Sequence, residues 1–231
     1  MDEGVLEMIA PILITGCARS GTSLSAGVID ACGAFGGMTT PARAHNRKGQ
    51  FENDAIRNTV IKSYLLRCGF DPMGQFPLPN IKRLKPFPEL SECIETIMIK
   101  QGYSNGPWYY KGAKMCLIWP VLEKVFPEAK WIIVRRKEED IINSCLKTHF
   151  MRAYDCEEGW QLWINEHLKR FEEMQANLEV REIWPMKFVK GDLTEIKEVI
   201  KWLGLNWNGQ GVKNFIDPIL WDTKKEVTDA K

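Results

Sequence analysis

The segment Gly16-Cys17-Ala18-Arg19-Ser20-Gly21-Thr22-Ser23 directly follows the apolar run ILIT and directly precedes a helical pattern. Strand, glycine loop and helix in that order make an anion cradle. Backbone N–H groups at the helix N-terminus point at a bound phosphate, the helix dipole favours its charge, and glycines permit close approach. Arg19 is the only cation in the loop, and Thr22 and Ser23 add hydroxyl donors. A second anion site is readable in KWIIVRRKEEDIINS, where Arg136 closes an apolar run just before a helical pattern. A guanidinium at a strand end recognises phosphate through a fork of two N–H bonds. Arg135, one residue earlier, is expected to face the opposite side of the sheet.

The nucleotide triphosphatase form of such a loop, GxxxxGK[ST], places a lysine after the second glycine to reach the β and γ phosphates, with a hydroxyl residue holding magnesium. Thr22 occupies the lysine position here. Metal-bridged phosphoryl chemistry is therefore disfavoured, and the donor is expected to be a different one. Two rivals stay open at this point. An atypical P-loop kinase would need a substitute for the lysine and would require magnesium; a non-catalytic nucleotide-binding module would bind without turnover.

These segments resemble the sulfotransferase superfamily that uses 3'-phosphoadenosine 5'-phosphosulfate (PAPS). Its 5'-phosphosulfate loop has the form (K/R)SGT(T/S), matched by Arg19-Ser20-Gly21-Thr22-Ser23, and its second motif is a strand-end Arg with a Ser eight residues later, matched by Arg136 and Ser144. Asp140 falls where the family's RxPxD pattern has its acid. The resemblance spans roughly residues 9 to 205 and is nearer to the bacterial and the carbohydrate- or protein-directed branches than to the cytosolic phenol sulfotransferases. It implies PAPS as co-substrate, 3'-phosphoadenosine 5'-phosphate (PAP) as product and no metal. It also implies that Gly16 to Ser23 hold the 5'-phosphate, that Arg136 and Ser144 clasp the 3'-phosphate, and that Arg19 stabilises the leaving oxygen. Lys111 and Lys114, in WYYKGAK, stand near the place of the family's donor-contacting lysine and catalytic histidine; the histidine itself is missing, and at least one of these lysines could stabilise the transferred group, a solvated strand end being an equal alternative.

For a general base, Glu52 in RKGQFEND is the first choice by the same resemblance, and His45 the second. A carboxylate beside a helix start is held in its charged form by the dipole, which works against base chemistry unless burial opposes it. His149 and His167 read as helix-surface residues. The chain departs from the cytosolic pattern at Leu24, where an aromatic would stack on adenine. It departs again in GLNWNGQGVKNF, where Gly209, Gly211 and Lys213 only faintly echo a phosphate clamp, and at Lys190-Gly191-Asp192-Leu193.

Positioning these groups falls to four apolar runs expected as strands, Ile9 to Thr15, Trp108 to Lys111, Lys130 to Arg135 and Met186 to Lys190. Helical patterns with apolar spacing of three or four follow at Thr22 to Cys32, Asn53 to Cys68, Leu90 to Gln101, Glu138 to Thr148, Glu157 to Glu179 and Glu195 to Leu203, with a short one from Pro120. Strands alternating with helices predict an α/β fold, a P-loop NTPase-like three-layer α/β/α arrangement with a mostly parallel sheet. One sulfotransferase-like domain over 1–231 is expected, with long loops at about 33–51 and 69–89. The first loop gathers Arg43, His45, Arg47 and Lys48; the second is proline-rich and could be a lid.

The 231 residues are 45% hydrophobic and 26% charged, with a net charge of +1, which describes an ordinary globular chain and argues against a general nucleic-acid binder. An anion site must then be local, and the Arg43 to Lys48 cluster could serve a glycan in that way. The seven cysteines show no CxxC pair, so neither a disulfide framework nor a zinc site is suggested. Buried reduced thiols, no signal core and no run of about 18 apolar residues point to a cytoplasmic chain without a membrane span. The acceptor is expected to be a small molecule or a glycan, offering a hydroxyl or amine. Of the nine tryptophans, Trp131 and Trp202 are expected in the core.

Overall fold

In a computed structural model, which describes residues 8–42 and 47–221, short apolar runs pair as one parallel sheet. Its strands are β1 (Ile12–Gly16), β2 (Tyr109–Lys111), β3 (Lys130–Val134) and β4 (Val180–Ile183), in the order β2-β1-β3-β4. The helices are α1 (Thr22–Ala31), α2 (Lys62–Arg67), α3 (Leu90–Lys100), α4 (Trp119–Val125), α5 (Glu138–Leu146), α6 (Glu157–Asn177), α7 (Pro185–Val189), α8 (Thr194–Trp202) and α9 (Gly209–Phe215). Parallel strands buried on both faces need apolar side chains in both directions. Leu13, Tyr110, Trp131 and Ile133 enter the core beneath α3, α4 and α6. Ile12, Ile14, Tyr109, Ile132, Val134 and Ile183 enter the core beneath α1, α8 and α9. Helices on both faces of a parallel sheet give the expected α/β architecture.

The fourth strand lies elsewhere than the sequence suggests. Met186 to Lys190 belongs to a helix, because Pro185 sits in its first turn, where a missing N–H costs nothing. The edge position goes to Val180–Ile183, which pairs with β3 from Trp131↔Val180 to Val134↔Ile183. Its charged Arg181 and Glu182 suit a sheet edge and conceal the strand in the sequence. The preceding helix accordingly ends at Asn177 rather than Glu179. Trp131 is fully buried, whereas Trp202 is only partly so.

Residues 69–89 carry no helix beyond one 3₁₀ turn, Ile81–Arg83. The Asp71 carboxylate accepts from the backbone N–H groups of Met73, Gln75 and Phe76. The Gln75 side chain donates to the Phe150 carbonyl and accepts from the Arg152 and Ala153 N–H groups, while the Trp163 indole donates to Gly74 O at 3.1 Å. These bonds tie the segment to α6 and to residues 150–153. All seven cysteines are free thiols, with Cys17, Cys32, Cys116 and Cys145 buried and Cys156 exposed. Among the described residues no helix is long and apolar enough to cross a membrane.

The topology marks where a ligand belongs. From β1 the chain proceeds to β2 on one side, and from β3 to β4 on the other, so connections diverge at the C-terminal ends of β1 and β3. Ligands of open α/β sheets bind in the crevice left at such a switch point. The glycine loop leaves β1 there, and Arg136 leaves β3 beside it.

Candidate functional site

The loop after β1 is shaped by two glycines. A Cβ on Gly16 would lie 2.6 Å from the Val134 carbonyl and 2.8 Å from Ser20 Oγ, so the loop folds back tightly on the end of β3. Gly21 has φ +97°, and a Cβ there would meet the Trp221 ring at 2.6 Å. Between them Arg19 adopts φ +72°, a conformation uncommon outside glycine and often found at functional sites. Helix α1 then begins with no side-chain cap and no acidic residue in its first turn, leaving its first N–H groups for an outside acceptor. Ser20 is fully buried with its hydroxyl unpartnered. A buried orphan of this kind costs about 1–3 kcal/mol unless something bonds to it, so the loop suits an anion both in its donors and in its shape.

The two motifs that the sequence separates are joined here. Arg19 Nε donates to Ser144 Oγ at 2.9 Å, and Arg136 Nη1 donates to the Arg19 carbonyl at 2.9 Å. Arg136 Nε is buried without a hydrogen bond, with Asp140 Oδ2 at 3.9 Å, and its guanidinium lies 4.7 Å from the Trp221 ring centroid. Burial draws the pKa of both arginines down, and for Arg136 the Arg19 charge adds to this. Guanidinium nevertheless stays charged, so two close cations share one crevice. Arg135 turns to the other face, where it pairs with Glu182 at 2.6 Å and sits over Phe171 and Trp184.

Two cavities flank the loop. The larger, about 290 Å³, is lined by Arg19, Thr22 and Ser23 on the loop side and by Glu52, Lys111, Lys114 and His167 beyond. Glu52 follows Phe51, whose φ of +51° is again left-handed, and its backbone carbonyl is held by Thr40. Its carboxylate lies 3.8 Å from Lys111 Nζ and 3.7 Å from Arg57 Nη1. Lys111 is no solvated strand end: its side chain is 7% exposed, because the strand delivers it into the cavity rather than to the surface. Burial pulls its pKa down, Glu52 holds it up, and Arg57 and Arg19 push it down further. Lys114 is partly buried and shifted the same way, chiefly by burial.

His167 is not a helix-surface residue. It lies 1% exposed on the inner stripe of α6, 3.9 Å between ring centroids from Trp163. Its Nδ1 is 2.8 Å from the Trp163 carbonyl. A carbonyl only accepts, so Nδ1 carries the proton and Nε2 keeps a lone pair. Burial pushes the His167 pKa down to about 4, which keeps the ring neutral. His149 is exposed in the turn after α5, beside Arg152.

Of the basic loop, Arg43 and His45 lie outside the described residues. Arg47 is exposed, and Lys48 donates to the Asn214 and Phe215 carbonyls at the end of α9. The smaller cavity, about 170 Å³, lies on the other side of the phosphate loop among Leu24, Lys48, Arg136, Phe215 and Trp221. Helix α9, which contains Gly209, Gly211 and Lys213, packs on α1 where a Cβ on Gly27 would enter the Phe215 ring. The sequence reading missed Arg57, Lys62 and Trp221, all of which line these cavities.

Comparison with solved structures finds the same fold in sulfotransferases. Sulfotransferase STF1 from Mycobacterium tuberculosis H37Rv superposes with a TM-score of 0.58 at 12% identity, over 91% of this chain and 71% of that one. STF9 from Mycobacterium avium gives 0.62 at 14%, over 90% and 67%. The sulfotransferase domain of the Synechococcus PCC 7002 olefin synthase gives 0.58 at 13%, over 100% and 92%. At these identities the likeness is one of fold. No protein-family model and no curated protein matches the chain.

Proposed function

We propose that this protein is a sulfotransferase that moves a sulfuryl group from PAPS to a hydroxyl or amine of a small-molecule or glycan acceptor. The observation that carries the reading is the bonding of Arg136 and Ser144 to Arg19 within one uncapped phosphate loop. It supports the reading because the residues of both proposed anion sites touch, as a nucleotide phosphorylated at both ends of its ribose would require. The donor supplies an activated sulfuryl group, and the chain supplies position and charge.

In this reading the loop from Gly16 to Ser23 holds the 5'-phosphate through its backbone N–H groups and the hydroxyls of Ser20, Thr22 and Ser23. Arg136 and Ser144 hold the 3'-phosphate, for which the unpartnered Arg136 Nε is a ready donor. The cavity bounded by Phe215 and Trp221 receives the nucleoside, with Trp221 as an aromatic face that the sequence pattern lacks at Leu24. Arg19 and Lys111 stabilise the charge left on the phosphate. Glu52, beside Lys111, takes the acceptor's proton, and His167, neutral with a free Nε2, accepts a hydrogen bond that orients the acceptor. His45 remains the second choice as base.

The test is transfer of ³⁵S from labelled PAPS to a panel of hydroxylated metabolites and sugars, in EDTA. Label on an acceptor, abolished in Arg19→Ala, is expected. Magnesium-dependent transfer of ³²P from γ-labelled ATP in its place would overturn the reading and favour the kinase.

A further inference from the structure

The larger cavity holds more positive charge than sulfuryl transfer uses. Among the described residues that line it, Arg19, Arg57, Lys62, Lys111 and Lys114 are cationic and Glu52 alone is anionic. Arg19 and Lys111 form the end next to the phosphate loop, and Arg19 is among the charges that act on Lys111. Lys114 shares the cavity lining with Lys62 and Arg57, and the cations acting on it are Lys62, Arg57 and Lys111. The one lining carboxylate lies between Lys111 and Arg57, and Arg57 is paired with Asp54 as well, so the uncompensated charge is that of Lys62 and Lys114. Among the described residues, the ammonium groups of Lys62 and Lys114 make neither a hydrogen bond nor an ion pair.

Their convergence depends on an unusual piece of backbone. Residues Ile56–Ile61 are π-helical, the Lys62 N–H donates to the Arg57 carbonyl, and Ser63 Oγ donates to Asn58 O. In an α-helix, at 3.6 residues per turn, side chains five apart point about 140° away from each other. Bonding across five residues brings Arg57 and Lys62 onto one face, toward the cavity. Such π-turns are rare and concentrate at functional sites. The same cavity also has an apolar lining, contributed by Leu117, Phe150, Met151 and Trp163.

We propose that Lys62 and Lys114, beside the already paired Arg57, form an anion subsite for the acceptor, so that the acceptor is a small molecule with a carboxylate, sulfate or phosphate at one end of an apolar body. The word acceptor rests on the sulfotransferase reading; the subsite itself does not. The acid group supplies the counter-charge that the Lys62 and Lys114 ammonium groups lack, and the apolar body lies on Phe150, Met151 and Trp163. The reacting hydroxyl is then directed toward Glu52 and the phosphate loop.

The experiment titrates phenylacetate and its neutral isostere phenylacetamide into protein first titrated to saturation with PAP, for wild type, Lys62→Gln and Lys114→Gln. The wild type should bind the acid about tenfold or more tighter than the amide, the scale of one charge-assisted hydrogen bond. Each variant should lose most of that preference while its amide affinity, which reports an intact cavity, holds. Equal affinity for the two probes, no binding of the acid, or an unchanged preference in both variants would overturn the subsite. The preceding PAP titration separates the two claims. Acid preference in a protein that does not bind PAP would sustain the subsite and overturn the donor reading, whereas PAP binding without acid preference would overturn the subsite alone.

Discussion

Replacement of Glu52 by Gln should expose how the site holds its buried cation. Glu52 lies 3.8 Å from Lys111 Nζ, with side-chain exposures of 11% and 7%, and 3.7 Å from Arg57 Nη1. Removing one member of a buried ion pair costs about 3–5 kcal/mol, because the other charge is left uncompensated. These separations exceed hydrogen-bond length and the pair borders an open cavity, so the lower end, about 3 kcal/mol at pH 7, is expected for Glu52→Gln. Lys111→Met in the same chain removes the stranded charge and should restore at least half of the loss. The pH dependence follows from the lowered pKa of Lys111. Losing the Glu52 carboxylate, which holds this pKa up, lowers it further. Below this folded pKa, lysine is charged in both folded and unfolded chains and the penalty is complete. Between it and the unfolded value near 10.4, the unfolded chain binds more protons, so stability rises with pH. The deficit of Glu52→Gln against wild type should therefore narrow as pH is raised from 7 to 9. Urea melts of the two single variants, the double variant and wild type at several pH values give the coupling energy. A coupling below about 0.5 kcal/mol, the scatter of independent sites, or a deficit that widens with pH, would refute the electrostatic account of this pair.

Gly21→Ala forces a side chain into φ +97° and against the Trp221 ring. A left-handed alanine costs about 1–2 kcal/mol, so calorimetry should show a melting temperature lower by about 2–8 °C, with loss of PAP binding; an unchanged melting temperature would contradict the loop geometry. His167, with its pKa depressed to about 4, contributes stability that is complete above its unfolded pKa of about 6.5 and is lost as pH falls toward 4, by about 3 kcal/mol. His167→Asn, which keeps a donor for the Trp163 carbonyl but does not titrate, should start lower and lose less over that interval in urea melts. Parallel profiles for the two proteins would show that His167 is not buried in its neutral form.

The parts of the site that were legible in the sequence are those specified locally. Gly16 to Ser23 sits between its own strand and its own helix, and Arg136 is placed by the end of β3, so composition and context agreed within a dozen residues. The fourth strand was hidden because an edge strand tolerates the charges of Arg181 and Glu182, while the more apolar stretch after Pro185 imitates a strand. His167 shares the three-and-four spacing of Trp160, Trp163, Ile164 and Phe171, so the inner face of α6 was readable; its polar type pointed the other way. Arg57 and Lys62 were not readable, since only a π-wound backbone brings residues five apart together. The proline-rich segment was readable as a stiff extended cover, but its attachment was not, because the bonds that hold it reach Phe150, Arg152, Ala153 and Trp163, about 75 to 90 residues away. Lys48 looked like part of a basic patch and instead closes the end of α9.

The central claim is that the crevice between β1 and β3 takes a nucleotide carrying a 3'-phosphate. It is tested most directly by calorimetric titration of PAP and AMP, in EDTA, into wild type and Arg136→Ala. The loss of hydrogen bonds to a charged group, about 1.5–3 kcal/mol, should weaken PAP by about 10- to 150-fold. AMP, which lacks the 3'-phosphate, should bind both proteins alike, and that comparison also shows whether the Arg136 bond to the Arg19 carbonyl is needed to hold the loop. Wild-type protein that binds AMP as well as PAP, or an Arg136→Ala variant that weakens both equally, would contradict the donor assignment.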